Sequence, residues 1–193
     1  ARWAESVPGD FRFSVKLPRA ISHDAKLQEI DAPLAQFASE VAALGSKLGC
    51  LLLQLPPKFE FDAAVAADFF DRTADIFSCM IACEARHPSW FSSEATALLT
   101  AHAVTRVIAD PAKGQPGPHE PTTAEIYVRL HGAPRIYYSS YTDEYLEALG
   151  RDMALHAKAG RDVWCIFDNT ASGASVPNAL TLRDALAVAR GWK

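Results

Sequence analysis

The sequence predicts an α/β fold built on a parallel sheet, and three observations predict it. Short runs rich in Val, Ile, Leu, Phe and Cys recur along the chain, as strands covered on both faces require. Amphipathic stretches of helical period lie between those runs. The two signals alternate, which implies right-handed βαβ crossovers. The chain has 193 residues, 49% hydrophobic and 22% charged, so it can bury one substantial core, and a single domain over residues 1–193 is expected.

The elements follow in order. "FRFSVK" is the first strand and ends at Lys16. Leu34, Phe37, Val41, Leu44 and Leu48 share one helical stripe, with Gly49 placed to close it as a C-terminal cap. "CLLLQ" is the second strand, ending at Gln54. Asp62 can cap a second helix that presents Val65, Phe69 and Ile76. "MIACEARH" carries the third strand through Glu84, and Ser92 or Ser93 can cap a third helix containing Leu98 and Leu99. "VTRVIAD" is the fourth strand, ending at Asp110. Only 19 residues separate Asp110 from Arg129, too few for an ordinary crossover helix. The intervening "PAKGQPGPHEPTTAE" holds four prolines and two glycines, so an irregular loop near the presumed site is expected. "EIYVRLH" is the fifth strand, through Arg129. The Thr142 segment, with Leu146, Leu149 and Met153 before Gly160, is a fourth helix. "DVWCIFDN" is the sixth strand, ending at Asp168, and Leu182 and Leu186 mark a last helix after Asn178.

Charge and cysteine content narrow the function classes. A net charge of -4 argues against broad nonspecific nucleic-acid binding, which needs a basic footprint, although a local basic pocket is compatible with it. The four cysteines, Cys50, Cys79, Cys83 and Cys165, lie in or beside apolar runs without the spacing of a zinc or redox site. They read as buried free thiols, which fits a cytoplasmic protein. No run approaches the ~20 apolar residues that cross a bilayer, and no signal peptide stands at the start.

In parallel α/β folds, ligand sites gather at the carboxyl ends of strands, and the polar residues here occupy those ends. Strand alternation puts Glu84 and Arg86 on one face of their strand, and likewise Tyr127, Arg129 and His131 on one face of another strand. Lys16, Arg86 and Arg129 would give a cleft positive potential suited to phosphate or carboxylate groups. Glu84, Asp110, Asp168 and His131 would supply acid/base groups, with Glu84, Asp110 and His131 the expected catalytic set. The competing account is structural: charges at strand ends also pair with each other in layers that hold a sheet together. Glu84, His87, Asp110 and His131 are residue types that could converge on Zn²⁺ or Mn²⁺, but no local ligand motif supports a divalent metal, which is not favoured. Trp90 with Pro88 reads as a packing lid before it reads as a stacking platform. The "YYSSY" run, Tyr137 to Tyr141 and including Tyr138, can lend phenols to a pocket or simply pack a loop. His23, His102, His119 and His156 look like surface or loop residues. No nucleophile elbow and no Gly-rich phosphate loop occurs.

Taken in order, "FRFSVKLPRAISH", "LGCLLLQLPPKF", "CEARHPSW", "YVRLHG" and "VWCIFDNTASGASVPNA" resemble the YecE-like family, domain of unknown function 72, over nearly the whole chain. The resemblance implies a TIM-type (β/α) barrel and no established reaction. It implies a polar mouth made of Lys16, His23, Gln54, Glu84, Arg86, His87, Trp90, Asp110, Arg129, His131, Asn169 and Asn178. Two strands that precede "RWAESVPGDFRFSVK" in the family are missing from this sequence, leaving six strand signals against the eight of a closed barrel. The sheet is therefore expected to be incomplete, with no direct pairing between the strands ending at Lys16 and Asp168.

Two functions fit these residues. One is an enzyme acting on a small polar or anionic metabolite, such as a sugar or phosphate ester, by acid/base chemistry. The other is a noncatalytic ligand- or nucleic-acid-binding module using the same basic groups, with a bland scaffold role as the remaining possibility. No membrane partner is expected, and the sequence names no cofactor or oligomer.

Overall fold

The computed structural model describes residues 2–190. After a short helix α1 (Arg2–Glu5) come β1 (Phe13–Lys16), α2 (Asp31–Val41), β2 (Leu48–Gln54), α3 (Ala63–Ile76), β3 (Met80–Glu84) and α4 (Ser93–Ala101). They are followed by β4 (Val104–Arg106), β5 (Ile108–Asp110), β6 (Ile126–Leu130), α5 (Asp143–Lys158), β7 (Val163–Phe167) and α6 (Ser175–Arg190). Every strand pairing is parallel, as the alternation of strands and helices predicts. Two compact units divide the chain, Ala1–Arg106 with Gly114–Thr123, and Val107–Lys113 with Ala124–Lys193.

The first unit carries the sheet β1-β2-β3-β4. Its register sets Lys16 beside Leu52 and Gln54 beside Glu84, so the polar ends of β1, β2 and β3 lie together. Leu51, Leu53, Ile81, Cys83 and Val104 pack with Phe69 and Phe70 of α3 and Leu99 of α4 in one core. Each such buried aliphatic or aromatic side chain contributes about 1.5–3 kcal/mol. Caps were legible: the Asp62 side chain accepts from Val65 N and the Ser92 side chain from Ala95 N.

Three expectations here need correction. Helix α2 ends at Val41 and tightens into a 3₁₀ turn, Ala42–Lys47, that breaks at Gly45 with φ 52°. Gly49 is therefore no cap; it lies inside β2, because the ladder with β1 claims Leu48 and its neighbours. Ile76 is 48% exposed, since the core stripe of α3 runs through Ala66, Phe69, Phe70 and Thr73. The predicted single strand "VTRVIAD" is two strands: β4 pairs with β3, β5 pairs with β6, and the ladder changes at Val107.

The proline-rich loop forms no helix or strand, as expected, and part of it serves the edge of β4. Thr122 Oγ1 accepts from Arg106 N at 2.9 Å and donates to Val104 O at 2.6 Å, supplying hydrogen bonds that a further strand would otherwise give. Gly114 has φ +77°, and a Cβ there would collide with the Arg86 carbonyl, so this turn requires glycine.

The second unit carries the sheet β5-β6-β7 under α5 and α6. Ile126, Val128, Leu130, Leu146, Met153 and Leu182 form its core. Thr142 caps α5, its hydroxyl accepting from Tyr145 N, and Gly160 follows the helix with φ +78°, the usual left-handed exit. Gly150 lets α5 and α6 approach closely: a Cβ at Gly150 would stand 3.1 Å from that of Ala185. The last helix starts at Ser175 and not after Asn178, which sits in its first turn. β1 and β7 are edge strands of their respective sheets, β1 paired with β2 and β7 with β6.

Candidate functional site

In the first unit the ends of β1, β2 and β3 bring together four of the predicted residues. Glu84 is 1% exposed, and its Oε1 accepts from Arg86 Nη2 at 2.8 Å, from Arg86 Nε at 3.1 Å and from Gln54 Nε2 at 3.4 Å. Lys16 Nζ, on the exposed side, donates to Gln54 Oε1 at 3.4 Å. A buried carboxylate must be paired, and the fork of Arg86 answers Glu84 with two charge-assisted bonds. The arrangement presents an ammonium and a partly exposed guanidinium around a fixed anion.

His23 lies on the π-helical turn Ala20–Asp24 that follows β1, its Nδ1 2.8 Å from Ser22 Oγ. Burial lowers its pKa, and the positive charges of Arg19, Lys16 and Arg86 lower it further, so the ring is held neutral at physiological pH. His87 and Trp90 have structural employment. His87 Nδ1 accepts from Ser89 N at 3.3 Å, capping the 3₁₀ turn Pro88–Phe91. Trp90 is 1% exposed, packs against Phe59 and Phe61, and donates its Nε1–H to Phe59 O at 3.0 Å. The indole is thus a core residue, the packing alternative of the sequence reading, with its polar atom satisfied.

In the second unit the ends of β6 and β7 build a tighter group. A single oxygen, Asp168 Oδ2, accepts from Arg129 Nη2 at 2.9 Å and lies 3.0 Å from His131 Nδ1. Arg129 and His131 are buried, at 6% and 3% exposure, whereas the Asp168 side chain is 30% exposed. Register explains the meeting: Arg129 stands beside Ile166 and Leu130 beside Phe167, so the next residues of the two strands converge past the sheet end. Asp110 contributes its backbone, with its carbonyl accepting from His131 N at 2.8 Å and from the Tyr141 hydroxyl at 3.2 Å. That hydroxyl accepts in turn from Gly132 N at 2.9 Å. Burial first, then Asp110, pushes the Tyr141 phenol far above its ordinary value, so it stays protonated and works as a brace.

Asn169 and Asn178, both buried, clamp the segment after β6. Asn169 Nδ2 donates to Ser139 O at 3.0 Å and to Asn178 Oδ1 at 2.9 Å, and Asn178 Oδ1 also accepts from Tyr141 N at 3.1 Å. Tyr138 is 46% exposed, and the Arg135 guanidinium lies 3.8 Å from its ring centre. Its neighbour Tyr137 touches the imidazole of His131, the ring centres 6.2 Å apart and the planes at 77°.

Arg106 escaped the sequence reading. It is 4% exposed and bonds Trp90 O, Glu120 O and Thr96 Oγ1, tying the proline-rich loop to the helical layer. An arginine in mid-strand is its only local signal. His119, read as a surface or loop residue, lies in the loop with its Nδ1 atom buried near this arginine. Among the described residues, no three His, Cys, Asp or Glu side chains gather as a metal-ligand set. No described helix is long and apolar enough to cross a membrane.

The fold and these groups define an α/β protein of parallel strands whose carboxyl ends carry paired carboxylates, guanidinium groups and an imidazole. The family model described as "Protein of unknown function DUF72" matches residues 1–192, and the chain belongs to that family. The UPF0759 protein YecE of Escherichia coli K12 is 34% identical to it over 92 residues, 47% of this chain and 33% of that protein. The match thus spans about a third of the curated relative's length. Among solved structures, a DUF72 family protein of Thermotoga maritima MSB8 superposes with a TM-score of 0.81 at 24% identity, over 96% of this chain and 77% of the other. A DUF72 family protein of Enterococcus faecalis V583 gives 0.78 at 21% identity, over 96% and 78%. These likenesses establish the shared α/β fold.

Proposed function

We propose that this chain is part of an enzyme that moves a proton on a small polar or anionic metabolite, with the His131–Asp168 pair as the acid/base unit. The observation that supports it is the single Asp168 oxygen held by both His131 and Arg129 at the ends of adjacent parallel strands. A carboxylate at Nδ1 fixes the imidazole's orientation and stabilises the imidazolium formed when the ring takes a proton, while the guanidinium of Arg129 holds the same carboxylate oxygen in place. Asp168, the solvent-facing member, orients the ring, and His131 carries the proton. Glu84, one of the catalytic candidates on sequence grounds, is better suited to a positioning role, because its Oε1 accepts from Arg86 and Gln54.

A turnover screen of phosphorylated sugars and small carboxylates, followed by mass spectrometry, tests the reading. His131→Gln lowers the rate by a factor of about 10² or more, the usual worth of a positioned general acid/base. Asp168→Asn lowers the rate and shifts the pH profile. A substrate turned over equally well by wild type and His131→Gln removes the imidazole from the mechanism.

A further inference from the structure

Tyr137 holds a backbone conformation that tyrosine adopts reluctantly, with φ 69°. Glycine or asparagine occupies that region at less cost. The conformation is enforced from both sides. Tyr137 N donates to His131 O at 2.6 Å, and Ala171 N, in the turn after β7, donates to Tyr137 O at 3.0 Å. Ser172 Oγ secures the next residue by donating to Tyr138 O at 2.5 Å. Yet the side chain so fixed gains little burial. Tyr137 is 42% exposed and has no place in the core of its unit; the ring contact it makes is with His131. A residue chosen for stability would be small and tolerant of positive φ. A large aromatic kept there at a conformational cost, with its surface open and one side against an acid/base imidazole, is the signature of a contact made with something else.

We propose that Tyr137 is a specificity-determining residue of the His131–Asp168 site, offering its ring to the apolar face of a cyclic anionic ligand, a phosphorylated or carboxylated sugar. The proposal rests on the acid/base reading of that site and adds the substrate class. An aromatic ring recognises the C–H face of a sugar and cannot distinguish one small open-chain anion from another. Arg135, exposed two residues earlier and stacked on Tyr138, supplies a guanidinium for the ligand's charged group. The ring and the cation stand on one loop, which the buried Asn169 and Asn178 hold rigid.

Calorimetric titration of the chain with glucose 6-phosphate, ribose 5-phosphate and the ring-free glycerol 3-phosphate, alongside thermal melts, tests this. The wild type prefers the cyclic phosphates by about tenfold, the scale of one aromatic contact. Tyr137→Asn erases the preference while leaving Tm unchanged or higher, because asparagine tolerates the positive φ; Tyr137→Phe keeps it. A lower Tm in Tyr137→Asn assigns the ring to packing and overturns the proposal whatever the affinities. Equal wild-type affinity for cyclic and ring-free phosphates overturns it while leaving the acid/base reading standing. Binding of none of the three removes both the proposal and the anionic-ligand part of that reading.

Discussion

At the scale of single residues, identity matters less than the partner each polar atom finds. Glu84 and Asp168 are both carboxylates at strand ends, but one is buried under a guanidinium fork and the other reaches solvent beside an imidazole. The first holds the Arg86 guanidinium, and the second holds His131 and Arg129 through one oxygen. His119 shows how burial and neighbouring charges together shift a titration. Burial lowers its pKa from the ordinary 6.5, Arg106 lowers it further, and Glu120 opposes them. A folded-state value below the unfolded one means the unfolded chain takes a proton that the folded chain refuses. The contribution is present above pH 6.5 and is lost as pH falls from there through the folded-state value. Thermal melts at pH 7.5 and 5.5 therefore show a larger loss of Tm in wild type than in His119→Gln. Equal losses would mean that His119 titrates alike in both states.

At the scale of elements, edges and crossings decide more than propensity does. The proline-rich loop resists helix formation locally, but its use is set by β4, whose edge groups Thr122 satisfies and whose Arg106 it accepts. Gly114 is the tight point of that attachment. Gly114→Ala meets both a positive φ and the Arg86 backbone, which does not yield as a flexible side chain would. The substitution costs about 2–4 kcal/mol, read as a lower urea midpoint at unchanged slope. A midpoint within error of wild type would show that the loop can lift away from Arg86 freely. Gly150 in α5 is a milder case: a Cβ there would stand 3.1 Å from that of Ala185, so α5 and α6 would have to shift by a few tenths of an ångström.

At the scale of the whole molecule, charge sets which partners are reachable. A net charge of -4 gives no extended basic footprint, and cations such as Lys16, Arg86, Arg129 and Arg135 stand as local groups at strand ends and on one loop. Counterion release scales with the number of phosphates neutralised, so weak nucleic-acid binding is the expected outcome for a chain of this charge. Gel-shift titrations with single- and double-stranded oligonucleotides accordingly show no retardation at ~150 mM salt. A specific shift surviving that salt would favour the nucleic-acid-binding alternative over the metabolite enzyme. The cysteines bear on the whole molecule too. Burial pushes the Cys50, Cys83 and Cys165 thiols up to about 12, so each is a thiol and not a thiolate at neutral pH.

Six strand-bearing segments, the helices between them, the cap Asp62 and the pair Ser92 or Ser93 as the cap of α4 could be read from the sequence, because apolar periodicity and capping are local and leave a local trace. The polar ends of the strands were equally legible, since a strand that leaves a core must change composition where it meets water. What the sequence could not determine were choices between competing partners. Whether Gly49 caps a helix or joins β2 depends on a ladder with β1, and whether "VTRVIAD" is one strand or two depends on β3 and β6 bidding for its backbone. Packing was the preferred reading for Trp90, but its partners, Phe59, Phe61 and the Phe59 carbonyl, were not legible. Glu84 met Gln54, and Asp168 met His131 and Arg129, because parallel register brought those strand ends level. Composition along a chain records which groups must be buried or hydrated; which group satisfies which is settled by contacts between segments far apart in sequence, and only tertiary structure contains those.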